Sequence, residues 1–358
     1  MHPYKDLPRR QFWRTAVADR SWDDVAFSDS FELAIDFQRN IGCAGSCFAQ
    51  HLGEGLRKFG ISIYNTEPPH ELHSDQERKI NEQFSARYGN IYSSKQLLEL
   101  VEQAFEIRPP IIDFCVSKKG YYDLLRPSIQ PGGFDTYEEC LVDRLYHLSM
   151  VKKLFTDLDY FVFTIGLTET WINKDGNYAY PVCPGVIAGD FDADKHAFVN
   201  LGYNESYDYL KKAINIIHSK NNKIKIILTV SPVQLSATFT NQHVLIASSY
   251  SKSILRAVVG KLEEEYSMVY YFPSFEITSH LASCGKYLEP NLREISPRGV
   301  AHVMKDFIAA GTKKMGSNPN SKLDNEYLPE KIFLSNSSNC EELMNDFSLS
   351  QIPILNRG

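Results

Sequence analysis

Three stretches of this chain are almost continuously apolar and rich in β-branched and aromatic residues: "YFVFTIG" (160–166), "KIKIILTVS" (223–231) and "SMVYYFP" (267–273). A strand with one wet face alternates apolar and polar residues, whereas a strand buried on both faces does not. Two further β-rich runs, 37–45 and 60–65, precede them. Helical patterns fill the intervals. Phe48, Leu52, Leu56 and Phe59 recur at helical spacing, with Gly60 as a stop. Further helices are expected over 94–106, 137–156, 205–219 and 247–265. The last opens on Ser296 as N-cap and Pro297 at its first position, and Val300, Val303, Met304 and Phe307 form its apolar face. Strands alternating with helices predict an α/β fold, a parallel sheet covered on both faces. Ligands of such sheets gather outside the carboxyl ends of the strands, so the loops there are the ones to inspect.

The chain has 358 residues, of which 43% are hydrophobic, enough for one large domain. We place it at 1–315, with long insertions near 66–93 and 172–204. Residues 316–358 are polar, weakly periodic and read as an appendage. A net charge of −6 argues against a nucleic-acid partner. No run approaches the ~18 apolar residues of a membrane span, and "MHPYKDLPRRQFWR" lacks the apolar core of a secretory signal. A cytoplasmic protein is therefore expected; its oligomeric state is not legible. Seven cysteines, an odd number, predict no disulfide framework. Cys43 and Cys47 are followed by no second pair at ligand spacing, so no metal site is expected.

The first strand ends in "IGCAGSCFAQHLGEGLRKFG" (41–60). Gly45 permits a sharp turn, and the following helix sets its positive N-terminus beside Cys47, which favours a thiolate. Cys47 then reads as a nucleophile projecting into a crevice. The same string also reads as a tight connection in which Cys43 and Cys47 are small packing residues. The strand at 160–166 delivers Thr168, Glu169 and Trp171, as substrate contacts or as a cap and an edge cover. The strand at 223–231 ends at Ser231 and leads through a hydroxyl-rich loop to His243. The one at 267–273 leads to Ser274, Glu276 and His280. His51 lies one helical turn beyond Cys47. As a general base we place His243 first and His51 second. Ser251, Lys252 and Arg256 suit either an anionic group or a solvated helix face, and Tyr178 and Tyr180 suit stacking or core packing.

Taken together, "GSCFAQHL" (45–52), "SARYGNIYSSKQLL" (85–98), "FTIGLTETW" (163–171), "TVSPVQLSATF" (229–239), "YSKSILR" (250–256) and "YFPSFEI" (271–277) resemble the GSCFA domain family over roughly residues 3–310. The resemblance implies an SGNH-hydrolase-like fold: a three-layer α/β/α sandwich around a parallel five-stranded sheet, flavodoxin-like in plan. It implies an acyltransferase or esterase acting on acyl esters of a polysaccharide or other glycan. Cys47 then occupies the nucleophile position, with His243, His51 and Glu169 as its catalytic company. Ser46, Gly89 and Asn90 fall to the oxyanion site. Thr168 stands where the family pattern Gly-x-Asn-Asp has its asparagine, and Trp171 and Ser231 fall near the substrate. The expected Asp-x-x-His before the last helix is replaced by Asn291 and Glu294. No cofactor is required, though an acyl donor such as acyl-CoA is compatible. The lost dyad also implies a second reading, a glycan- or partner-binding protein that kept the cleft without the chemistry.

Overall fold

The computed structural model describes residues 2–313 apart from 26, 118 and 119; the proposed appendage at 316–358 lies outside the described residues. In chain order the elements are β1 (Ile41–Gly45), α1 (Cys47–Lys58), α2 (Asp75–Glu82), α3 (Ser94–Ala104), β2 (Phe114–Ser117), β3 (Gly120–Asp123), α4 (Tyr137–Asp157), β4 (Tyr160–Ile165), β5 (Glu169–Asn173), β6 (Ala179–Tyr180), β7 (His196–Asn200), α5 (Tyr203–Lys220), β8 (Lys225–Val230), α6 (Val244–Glu265), β9 (Val269–Tyr271), α7 (Ser274–Ser279) and α8 (Pro297–Lys313).

The central sheet is parallel, in the order β1-β4-β8-β9. Alternate residues of each strand enter two separate cores. Phe161, Phe163, Ile165, Ile226, Leu228 and Val230 pack with apolar residues of α3, α4, α5 and α6. Val162, Ile227, Ile41 and Cys43 pack with those of α1, α7 and α8. Period-two side-chain alternation thus divides continuously apolar strands between two helical faces.

Four strands form where five were expected. Residues 60–65 run beside β1, and Tyr64 N–H donates to the Ile41 carbonyl (2.8 Å). The rest of that edge is occupied by residues 85–91. Ser85 Oγ accepts from Cys43 N–H (2.9 Å), Tyr88 Oη donates to the Cys43 carbonyl, and Ile91 N–H donates to the Gly45 carbonyl (2.8 Å). With the edge groups satisfied by an irregular segment, no ladder forms there.

The two long insertions are ordered. Ser74 and Glu77 make a reciprocal capping box that starts α2. A buried ion network then ties the first insertion to α4. Arg126 Nε bonds Asp123 and Arg126 Nη2 bonds Asp143, both at 2.8 Å. Arg144 pairs with Asp123 (3.6 Å), Arg87 with Asp143 (2.6 Å), and His147 Nδ1 with Glu67 (2.7 Å). Burial pushes the carboxyls of Asp123 and Asp143 upward, but the arginines beside them outweigh it and hold both below the usual range. The second insertion contributes β6 and β7 to an antiparallel sheet ordered β6-β5-β7. An N-terminal arm crosses the far end of the molecule. There Asp23 receives Lys286, Tyr287 and Arg298 (3.1 Å), and Trp22 Nε1 donates to the Ile277 carbonyl (3.0 Å). Among the described residues, no helix is long and apolar enough to cross a membrane.

Candidate active site

β1 lies where the chain changes face: α1 packs on one side of the sheet, α3 through α6 on the other. This is the kind of position at which α/β sheets open a crevice. Gly45 carries the turn there. Its φ is +140°, and a Cβ would collide with the Thr164 carbonyl, so both conformation and space require glycine. Ser46 N–H donates to that same carbonyl (3.0 Å). Ser46 is the N-cap of α1 and Cys47 its first residue, which sets the positive end of a 12-residue helix against the Cys47 side chain.

Cys47 does not project. It is 2% exposed and belongs to the apolar core beneath α1 and α8. The expectation of a protruding nucleophile is therefore corrected: any reagent reaching Cys47 requires its neighbours to move aside. Cys43 lies in mid-strand, fully buried. Burial pushes its thiol up to about 11, against the pull of Arg57 and Ser85, so Cys43 is a packing residue.

Two further segments close on this turn. Gly89, at φ +68°, and buried Asn90 precede Ile91, whose amide holds the Gly45 carbonyl. Asn90 Oδ1 accepts from Gln50 Nε2 on α1 (3.0 Å). After β4, the amides of Gly166 and Leu167 both donate to the Tyr92 carbonyl (2.8 and 3.0 Å). Gly166 lies so close to Ser46 that a Cβ would come within 2.9 Å of the serine Cβ. Thr168 follows, fully buried, with its N–H bonded to Ser251 Oγ (3.1 Å). The structure thus brings together Ser46, Cys47, Gly89, Asn90 and the turn carrying Thr168. The hydroxyls of Ser46, Thr164 and Thr168 are buried and make no hydrogen bond among the described residues. Buried hydroxyls normally find a partner in the protein or in ordered water.

His51 stands one turn beyond Cys47, its ring edge-on to Phe48 (6.1 Å). Burial lowers its pKa, opposed by the charges of Glu54 and Glu294, and the neutral ring is the form a general base needs. Glu294 is held by Asn291: Asn291 Oδ1 accepts from the Glu294 amide (3.0 Å) and Nδ2 donates to Glu294 Oε2 (3.2 Å). The Asn291 amide thus orients the Glu294 carboxylate.

Each of the other predicted residues is engaged in a bond or packing contact of its own. His243 is exposed and caps α6, its Nδ1 accepting from Leu245 N–H (3.2 Å). That ring nitrogen is already engaged in helix capping. Glu169 accepts from Thr238 Oγ1 (2.6 Å) and Phe239 N–H (3.3 Å), pinning the 238–240 loop; burial raises its pKa. Trp171 packs among Phe191, Phe198 and Phe239 on the antiparallel sheet, at ring distances of 5.3, 5.7 and 4.8 Å. Tyr178 and Tyr180 both donate to Asp113 (2.6 Å). Ser231 ends β8, buried, its amide bonded to the Ile165 carbonyl (2.9 Å). Nor do Ser251, Lys252 and Arg256 form an anion clamp. Lys252 Nζ donates to the Gly166 carbonyl (2.7 Å), Ser251 holds Thr168, and Arg256 bonds Glu276 (2.7 Å) and covers the Tyr271 ring. The first two brace the turn after β4, a role the "YSKSILR" string did not announce. Among the described residues, no group of three or more histidine, cysteine, aspartate or glutamate side chains could hold a metal ion.

Comparison with known proteins returns no curated protein and no solved structure that matches this chain. A family match does exist, and it spans residues 40–307, from the start of β1 through most of α8 and including the Gly-Ser-Cys turn. The chain therefore belongs to the GSCFA family.

Proposed function

We propose that this protein transfers or hydrolyses acyl groups carried as esters on a glycan, through a thioester at Cys47. The observation that carries the reading is the turn itself: a cysteine at the N-terminus of a helix, on a glycine-forced bend at the carboxyl edge of a parallel sheet, ringed by unmatched buried hydroxyls. The related SGNH-type fold, with its helix–sheet–helix layering and five-stranded sheet, supports the same chemistry by resemblance. Cys47 sulfur attacks the ester carbonyl, its proton passing to His51. The Ser46 and Thr168 hydroxyls and the helix N-terminus stabilise the oxyanion. The alkoxide leaves with the proton from His51, and water or an acceptor hydroxyl then cleaves the thioester. Glu294 acts through His51, favouring the imidazolium. An acyl donor such as acyl-CoA is compatible with the scheme.

The test is direct. Incubate the folded protein with an activated acyl ester and locate the adduct by mass spectrometry. A thioester at Cys47, absent in Cys47→Ala, is expected. Adduct only after unfolding overturns the catalytic reading. A second reading is favoured by the 2% exposure of Cys47: the protein binds a glycan without turning it over. It predicts that Cys47→Ala leaves ligand affinity unchanged and that no turnover exists to be lost.

A further inference from the structure

Two long helices on this sheet face expose apolar side chains, α6 through Leu245, Ile246 and Tyr250 near its start and α4 through a stripe at its middle. Val142, Leu145 and Tyr146 are 67%, 45% and 52% exposed. They lie in one stripe with the exposed Glu138, Glu139, Ser149, Lys152 and Lys153, because residues three and four apart share a helix face. The inward side, Arg144, His147, Leu148, Val151, Leu154 and Phe155, is buried. A helix apolar on both sides needs cover on both.

The charges along the stripe are ordered. Asp135, Glu138 and Glu139 stand at its start, Lys152 and Lys153 at its end, with the apolar residues between. Turned through 180° about the point between Leu145 and Tyr146, this pattern complements itself. Glu138 meets Lys153, Glu139 meets Lys152, Val142 meets Ser149, and Leu145 meets Tyr146. A two-fold contact demands this self-complementarity of a single patch. In the single chain Lys152 pairs with Glu106 (2.8 Å) and Lys153 with Asp157 (3.1 Å) and the Tyr64 hydroxyl (2.9 Å). Such exposed pairs are weak and exchange easily.

We propose that a second copy of this chain docks here, the two α4 helices packing antiparallel about a two-fold axis at residues 145–146. The 21-residue helix is about 30 Å long, so the contact is of modest size and the dimer reversible. An open groove beside α4, bordered by Phe134, Glu138, Val142 and Tyr146, widens the face. The Cys47 turn, packed in the core on the other face of the sheet, takes no part in the pairing.

Sedimentation velocity of the full chain over a range of concentrations tests it. The wild type shows a monomer–dimer equilibrium, and Leu145→Asp raises its dissociation constant by about tenfold or more. Glu138→Lys/Glu139→Lys is monomeric by itself, as is Lys152→Glu/Lys153→Glu, since each places like charges opposite. Mixed in equal amounts the two variants associate, one with lysine and the other with glutamate at all four of positions 138, 139, 152 and 153. All substitutions are at exposed positions, and unchanged thermal melts confirm folding. A wild type that stays monomeric throughout, a dimer indifferent to Leu145→Asp, or a mixture that fails to associate each overturns the proposal.

Discussion

Two buried polar regions flank β1, one built on ion pairs and the other mostly on neutral groups. On the α4 side carboxylates lie against cations, Asp123 and Asp143 against Arg126, Arg144 and Arg87. Glu67 bonds His147, whose charged form burial disfavours, and Glu67 Oε1, Arg87 Nε, Arg144 Nε and His147 Nε2 make no hydrogen bond among the described residues. At the Gly-Ser-Cys turn the Gln50–Asn90 amides and the Lys252 ammonium are matched, while the neutral hydroxyls of Ser46, Thr164 and Thr168 make no hydrogen bond among the described residues. The first arrangement spends most of its polarity on ion pairs that fix a long insertion against a helix. The second carries its unmatched polarity on neutral groups, where a missing partner costs less than it does for a charge.

Breaking the ion network has the largest effect. Arg126→Met leaves Asp123 facing a deficit of positive charge in the interior, and ~3–5 kcal/mol of stability is lost, read by urea unfolding. Gly45→Ala comes next. The left-handed φ and the collision with the Thr164 carbonyl together cost ~2–4 kcal/mol, and acylation of Cys47 falls with them. A loss confined to stability, with acylation intact, separates the turn from the chemistry. Acid acts more gently on the ion network. Asp123 and Asp143 are held below the ordinary 3.8, so their contribution is complete above that value and is lost as pH falls through their lower native values. Amide exchange in α4 therefore accelerates below about pH 4 before exchange at β4 does. Simultaneous loss throughout contradicts this order. Thr168→Val has the smallest effect on stability, within ~1 kcal/mol, since no bond to its hydroxyl is broken. In the proposed reaction it removes an oxyanion donor, and turnover falls by roughly 10²-fold or more. Unchanged turnover removes Thr168 from the site.

The scaffold was largely legible. Uninterrupted apolar runs gave β4, β8 and β9, and Ser296-Pro297 marked the start of α8 within a residue, because burial on two faces and helix entry leave local signatures. The fifth strand misled for a non-local reason: "GISIYN" has strand composition, but Ser85, Tyr88 and Ile91 reach the β1 edge first. At the site, the turn from Gly45 to Cys47 could be read from its glycine and cysteine. That Cys47 is covered could not, since burial depends on α8, 250 residues later. His243 was attractive for following a strand end, yet a histidine there also makes a serviceable helix cap. The capping box at Ser74 and Glu77 was readable as Ser-x-x-Glu and would have placed α2. The pairing of Glu67 with His147 carried no local signal.

The clamp on Asp23 sets the limits of any shortened version of this protein. The family match begins at residue 40, but Asp23 and Trp22 fasten Lys286, Tyr287, Arg298 and Ile277, the stretch from which Asn291 and Glu294 are presented. A polypeptide trimmed to 40–307 keeps every matched residue yet frees that stretch from its outer tether. The inherited boundary and the cooperative one do not coincide, and the second is the one to respect when the protein is cut down for biochemistry.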